Sequence, residues 1–138
     1  EALVVMGRRG IPDAVAEALD ALEVPIHEAK GDVSCLETVR AVFAAHPITA
    51  ALHAAGAVDD GLLSDQTWPR FERVLAGKLR GAWNLHVAGE GLAQLILVSS
   101  ASAVLGVAGQ SSYAAANAGL DALAAMRRAA AGPVRRCY

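Results

Sequence analysis

LVVMGRRGIPDAVAEALDALE, Leu3 to Glu23, joins two opposite patterns in one short stretch. Leu3-Val4-Val5-Met6 is an unbroken apolar run stopped by Gly-Arg-Arg-Gly, the form of a strand buried on both faces and ended by a turn. Pro12, tolerated in a first helical turn, then opens a segment whose apolar residues fall at Val15, Ala18, Leu19 and Leu22, one face of a helix.

The same unit recurs downstream. A short strand at Val24 to Glu28 and a Lys-Gly-Asp turn lead to a helix with Leu36, Val39 and Phe43 on one side. ITAALHAAG (48–56) and LAQLILVSS (92–100) read as strands, and 67–90 and 111–131 as the long helices that follow them. Strand and helix in alternation predict an α/β domain: parallel strands joined by crossover helices, with the sheet covered on both faces.

Composition narrows the function. The chain has 138 residues, 54% of them hydrophobic, with 12 Lys+Arg against 14 Asp+Glu, one near-neutral core-forming domain. No basic run and only 4% aromatic residues argue against nucleic acid. No apolar stretch approaches the roughly 20 residues of a bilayer span. Cys35 and Cys137 form no CxxC pair and no signal peptide opens the chain, which leads us to expect a reducing, cytoplasmic setting.

In an α/β sheet ligands bind beyond the carboxyl ends of the strands. Here those ends read GRRG, GDVS, HAAG and SSAS. Turn chemistry alone accounts for any one of them; four on one edge point to a ligand. Arg8 and Arg9 suit a phosphate, including the 2′-phosphate of NADP, because a guanidinium fork matches its oxygens. Asp32 can accept from an exocyclic amine, and HAAG has so little bulk that a flat ring can approach the backbone. His53 shows no ligand spacing with His27, His46 or His86, so we expect a hydrogen-bonded structural histidine and no metal.

The 67–90 helix carries a sharper anomaly. Its apolar face runs Phe71, Val74, Leu75, Leu79, Ala82, Trp83, and Lys78 falls inside that stripe while Arg70, Arg73 and Arg80 stay largely off it. Either Lys78 snorkels to water or it delivers a fixed charge to a site. Further on, a serine-studded loop through Gly106 and Gly109 enters the last helix, where Tyr113 and Asn117 stand one turn apart on one face, with Ser100 ending the strand nearby. Serine, tyrosine, a polar helper and a remote lysine are the set that carbonyl reduction needs: hydride adds to carbon, and a phenol aided by a cation gives the proton to oxygen.

Together LVVMGRRG, GDVS, HAAGAVDDG, KLRGAWNLH and LVSSASAVLGVAGQSSYAAANAGLDALA resemble the ketoreductase domains of modular polyketide synthases, a branch of the short-chain dehydrogenase/reductase superfamily. The resemblance runs over nearly the whole chain. It includes the exchange typical of that branch, lysine on the earlier helix and asparagine four residues after the tyrosine, as Lys78 and Asn117 stand here. It implies a Rossmann-like doubly wound sheet. Tyr113 would be the general acid, Ser100 rather than Ser99 the ligand of the substrate carbonyl, Lys78 the charge that eases the tyrosine's proton loss, and Asn117 the support of a water and backbone relay. Arg8, with Arg9 second, would take the 2′-phosphate of NADPH; Asp32 and Val33 would flank the adenine; Ala54, Ala55 and Gly56 would line the cofactor. The implied substrate is a β-ketoacyl chain on an acyl carrier protein, and the implied partners are the other domains of the synthase.

The family's B-type members, which make a D-hydroxyl, carry Leu-Asp-Asp after the HAAG strand, and A-type members a tryptophan eight residues before the tyrosine. Val58-Asp59-Asp60 and Leu105 stand at those positions, which implies B-type control, with Gln110 part of the stereochemical wall. A solvated loop is the alternative for the two aspartates. Family members also place a strand and a glycine-rich turn ahead of LVVMGRRG, and strands and a lid beyond the last helix, so the resemblance implies that 1–138 is a single partial domain with an incomplete sheet and, on its own, no useful turnover. The rivals are a non-catalytic reductase-like remnant of a synthase and a carrier-protein interaction module.

Overall fold

Alternating patterns fold as alternating elements in a computed structural model that describes residues 1–130. The stub at 131–138, with Cys137 and the last residue of the expected 111–131 helix, lies outside the described residues. Strands β1 (Leu3–Gly7) and β2 (Ile26–Lys30) pair in parallel, Leu3 opposite Ile26 and Gly7 opposite Lys30, with helix α1 (Asp13–Asp20) between them in the chain. The second strand begins and ends two residues later than the expected 24–28. Glu23 turns the chain at φ 53°, and Pro25, which has no N–H, contributes only its carbonyl, accepting from Leu3 N at 2.9 Å. Helix α2 (Leu36–Ala45) follows and buries Val39 completely.

Strands β3 (Ala50–His53) and β4 (Gln94–Leu97) form a second parallel pair. Between them run helix α3 (Trp68–Leu75), a five-residue π-helical turn (Ala76–Arg80) and helix α4 (Gly81–Ala88). The single helix expected at 67–90 is therefore interrupted in its middle and stops at Ala88. A short helix α5 (Ser102–Leu105) lies within the serine loop, and helix α6 (Ser111–Ala130) completes the described chain.

The fold is of the Rossmann-like α/β type, with every strand pair parallel, but the sheet is small and incomplete: among the described residues β1–β2 and β3–β4 are separate two-stranded pairs. Coverage of both faces is not found among the described residues. Side chains alternate along a strand, so Leu97 and His53 turn to α4 and α6 while Leu52 and Ile96, opposite each other in register, lie 66% and 46% exposed. The first strand is half-buried, and Val15 and Leu22 of the expected α1 face are exposed. Trp83, also expected inside, is half-exposed against His86. The core instead gathers Ala82, Leu120 and Leu123, with Leu97 packed on them. Burying Leu120 fully contributes about 1.5–3 kcal/mol.

Candidate active site

Lys78 decides between its two readings. It is 5% exposed, and its Nζ donates to the carbonyl of Val98 at 3.0 Å and stands 5.2 Å from the ring centroid of Tyr113; it does not snorkel. An ammonium so enclosed needs a carbonyl and an electron-rich ring face as replacements for water. The π turn aims it. In that turn the Gly81 N–H reaches the carbonyl of Ala76, five residues back, and such a bulge shifts side chains off the regular helical stripe. Two close approaches keep it there. A Cβ on Gly56 would sit 2.9 Å from Lys78 Cγ, and one on Gly77 3.4 Å from the Gly56 Cα, so the bare end of HAAG makes room for the lysine stem.

His53, 3% exposed at the end of β3, bonds the Lys78 carbonyl through Nε2 at 2.8 Å. Because a carbonyl only accepts, Nε2 carries the proton. Burial, aided by the Lys78 charge and opposed by this hydrogen bond, holds the imidazole below its usual range, so it stays neutral. Gly81 lets the helix pass: a Cβ there would meet Val33 at 2.8 Å and His53 at 3.0 Å. The buried Asn84 donates to the Val33 carbonyl at 2.9 Å, tying the loop after β2 to the same helix.

Around Tyr113 the polar groups are engaged in a definite order. Asn117, fully buried, donates through Nδ2 to the Tyr113 carbonyl at 2.8 Å, while its Oδ1 has no partner among the described residues. Ser99 donates to the Asn117 carbonyl at 3.3 Å and is thereby committed to backbone. Ser100 Oγ instead accepts the Ser102 N–H at 3.2 Å and lies 3.0 Å from the Ser102 hydroxyl. With acceptor capacity filled by a buried neighbour, the Ser100 hydroxyl has its proton to give.

The loop before α3 is organised by charge. Asp59 accepts from Arg70 at Oδ1 and from Arg73 at Oδ2, the latter at 2.8 Å. The Arg70 guanidinium beside it, with further contributions from Arg70 and Arg73 charge, holds its carboxyl below the usual range. Asp60, itself exposed, accepts from Gln110 Nε2 at 2.9 Å. Leu105 stands 80% exposed on α5. At the other end of the site Arg8 and Arg9 are exposed after β1 and form no ion pair among the described residues. Asp32 takes the Ser34 N–H and hydroxyl, both at 2.8 Å, which lowers its pKa, and Arg8 lowers it further. Ala54, Ala55 and Gly56 are exposed at the end of β3. No cluster of three or more metal-donor side chains occurs among the described residues, and no helix there is long and apolar enough to cross a membrane.

Sequence reasoning missed Arg70, Asn84 and Ser102, and it missed that His53 supports Lys78. Their partners are backbone carbonyls, loop carboxylates or a neighbouring serine, which leave no spacing signature. A glycine three residues after Lys78 was the available hint of a close approach.

Parallel strands joined by crossover helices give a fold of the short-chain dehydrogenase/reductase type, although β4 ends at Leu97, three residues short of Ser100. The fold superposes on a short chain dehydrogenase from Mycobacterium avium with TM-score 0.74 at 20% identity, covering 88% of this chain and 53% of that one. Within that class the chain belongs to the KR domain family, whose model matches residues 1–135. It is similar to polyketide synthase GfsE of Streptomyces halstedii (45% identity, 90% of this chain, 3% of that protein). It is similar also to the first ketoreductase of the tylosin polyketide synthase (40% identity, TM-score 0.87, 96% of this chain, 31% of that one). A ketoreductase from the first module of phoslactomycin biosynthesis in Streptomyces sp. HK803 gives TM-score 0.89 at 30% identity, over 94% of this chain and 32% of that one. The chain thus spans about a third of the solved ketoreductases and a few per cent of the synthases it matches.

Proposed function

We propose that this chain carries the catalytic residues of a polyketide synthase ketoreductase that reduces a β-ketoacyl group on an acyl carrier protein, with NADPH, to a β-hydroxyacyl group of D configuration. The observation that carries the reading is the buried Lys78 ammonium, aimed from a π turn at Tyr113 on a different helix. Ser100 donates to the ketone oxygen and Tyr113 delivers the proton to it. The Lys78 charge stabilises the phenolate that remains, and Asn117 braces the helical turn that carries the tyrosine. NADPH, when bound, would supply the hydride to the carbonyl carbon, becoming NADP⁺. The residues present fit that group: exposed Arg8 and Arg9 would take the 2′-phosphate, Asp32 and Val33 would flank the adenine, and exposed Ala54 to Gly56 would line the cofactor. Val58-Asp59-Asp60 and Leu105 support the D configuration.

The test is Tyr113→Phe in a full-length ketoreductase containing this sequence. We expect reduction of a β-ketoacyl thioester to fall about 10²–10⁴-fold, the usual worth of a positioned proton donor, with NADPH affinity unchanged. A loss under about threefold would show that the proton comes from elsewhere. The 138 residues alone, with Leu52 and Ile96 open to water on a two-stranded sheet, are expected to bind NADPH weakly and to associate.

A further inference from the structure

We propose that Arg70 is a positioning residue: it fixes the Asp59–Gly61 turn and, through it, sets which face of the ketone meets the hydride. The inference rests on the ketoreductase reading above. One guanidinium gathers three residues of the loop. Its Nε and Nη2 donate to Asp59 Oδ1 at 2.9 and 2.6 Å, Nη2 also to the Asp60 carbonyl at 2.8 Å, and Nη1 to the Asp65 carbonyl at 3.1 Å. Arg73 occupies the second Asp59 oxygen, so that carboxylate belongs to the scaffold. Gly61 completes the cage, since a Cβ there would lie 2.9 Å from both Nη atoms.

The held turn is bonded straight to the catalytic side. The Gly61 N–H donates to the Gly109 carbonyl at 2.8 Å, and Gln110 reaches Asp60 Oδ2. The Gln110 carbonyl in turn accepts from Ala114 N at 2.8 Å, inside the first turn of the helix that carries Tyr113. Exposed apolar side chains stand on both joined loops, Val58 and Leu62 on one, Leu105 and Val107 on the other. An acyl chain lying against that rim is oriented by the relative position of the two loops, and Arg70 fixes one of them. Lysine cannot replace it, because one ammonium does not span a carboxylate and two carbonyls set around a planar fork.

The experiment is made in the full-length ketoreductase, reducing a β-ketoacyl thioester with NADPH and reading the ratio of the two hydroxyl configurations beside kcat and NADPH affinity. Arg70→Lys is expected to erode the ratio about five- to tenfold, the size of one lost contact between two competing transition states, with NADPH affinity unchanged. Gly61→Ala keeps every charge, crowds the guanidinium and should shift the ratio the same way; it carries the test alone if Arg70→Lys fails to fold. Arg80→Lys, whose Glu72 partner is exposed like itself, should leave the ratio as it was. An unchanged ratio in the folded, active Arg70 and Gly61 variants overturns the inference. No reduction by the unsubstituted protein overturns the functional reading, and the inference with it.

Discussion

The region around α4 and α6 keeps Lys78, Asn84, Asn117 and His53 out of water, whereas α1, near the start of the chain, buries no residue. Both regions are built from parallel strands and crossover helices. Lys78, Asn84 and His53 enter the first because each finds an acceptor there: Val98 O for Lys78, Val33 O for Asn84, the Lys78 carbonyl for His53. The second keeps Arg8 and Arg9 in water, where guanidinium groups cost little to hold. The residues proposed for proton transfer are held in place, and the end proposed for the phosphate stays open.

The largest test of that contrast is a pair of truncations. Leu120→Ala empties a fully buried site and is expected to cost about 2–5 kcal/mol, while Val15→Ala, on the exposed face of α1, should stay within about 0.5 kcal/mol. Chemical denaturation of both variants measures it. Comparable losses would mean that α1 is packed as firmly as α6, and the contrast would fail.

A smaller effect probes the polar interior. His53→Leu takes from the buried Lys78 carbonyl one of its two donors, the other being the Gly81 N–H, a loss of about 0.5–1.5 kcal/mol. It also frees the π turn, so kcat should fall further than NADPH affinity does. A variant with intact kcat would show that the turn holds Lys78 without the imidazole.

Much of this was legible in the sequence, for reasons specific to each residue. Order and kind of element followed from periodicity, which is local: Leu36, Val39 and Phe43 mark α2, and LILV marks β4. Lys78 stood out because an ammonium in an apolar stripe is anomalous wherever it lies. What could not be read depends on distant neighbours. Whether β1 is covered on two faces, whether Trp83 is inside, and where a helix widens into a π turn are decided by packing partners, not by spacing. The Arg70 cage is of the same kind, because Asp59 and Arg70 lie eleven residues apart across a turn whose shape no pattern encodes.

The smallest expected effect is the dependence of stability on pH, and it separates the interior from the loop. His53 has its pKa lowered on folding from the ordinary 6.5, so the native state resists protonation that the unfolded chain accepts. Its contribution is complete above that value and is lost as pH falls through the depressed native one. Asp59 is lowered from 3.8 by Arg70, and its contribution is likewise complete above 3.8 and lost only in stronger acid. Unfolding free energy should therefore decline in two windows, the first just below neutrality and the second below about pH 4. His53→Leu should erase the first window and keep the second, and Asp59→Asn should keep the first and narrow the second, which the lowered Asp32 carboxyl shares. Salt should weaken only the second, since Asp59 and Arg73 meet at the surface and the imidazole is enclosed. A first window that survives in His53→Leu would assign the near-neutral loss to another histidine and leave the buried imidazole without a part in acid stability.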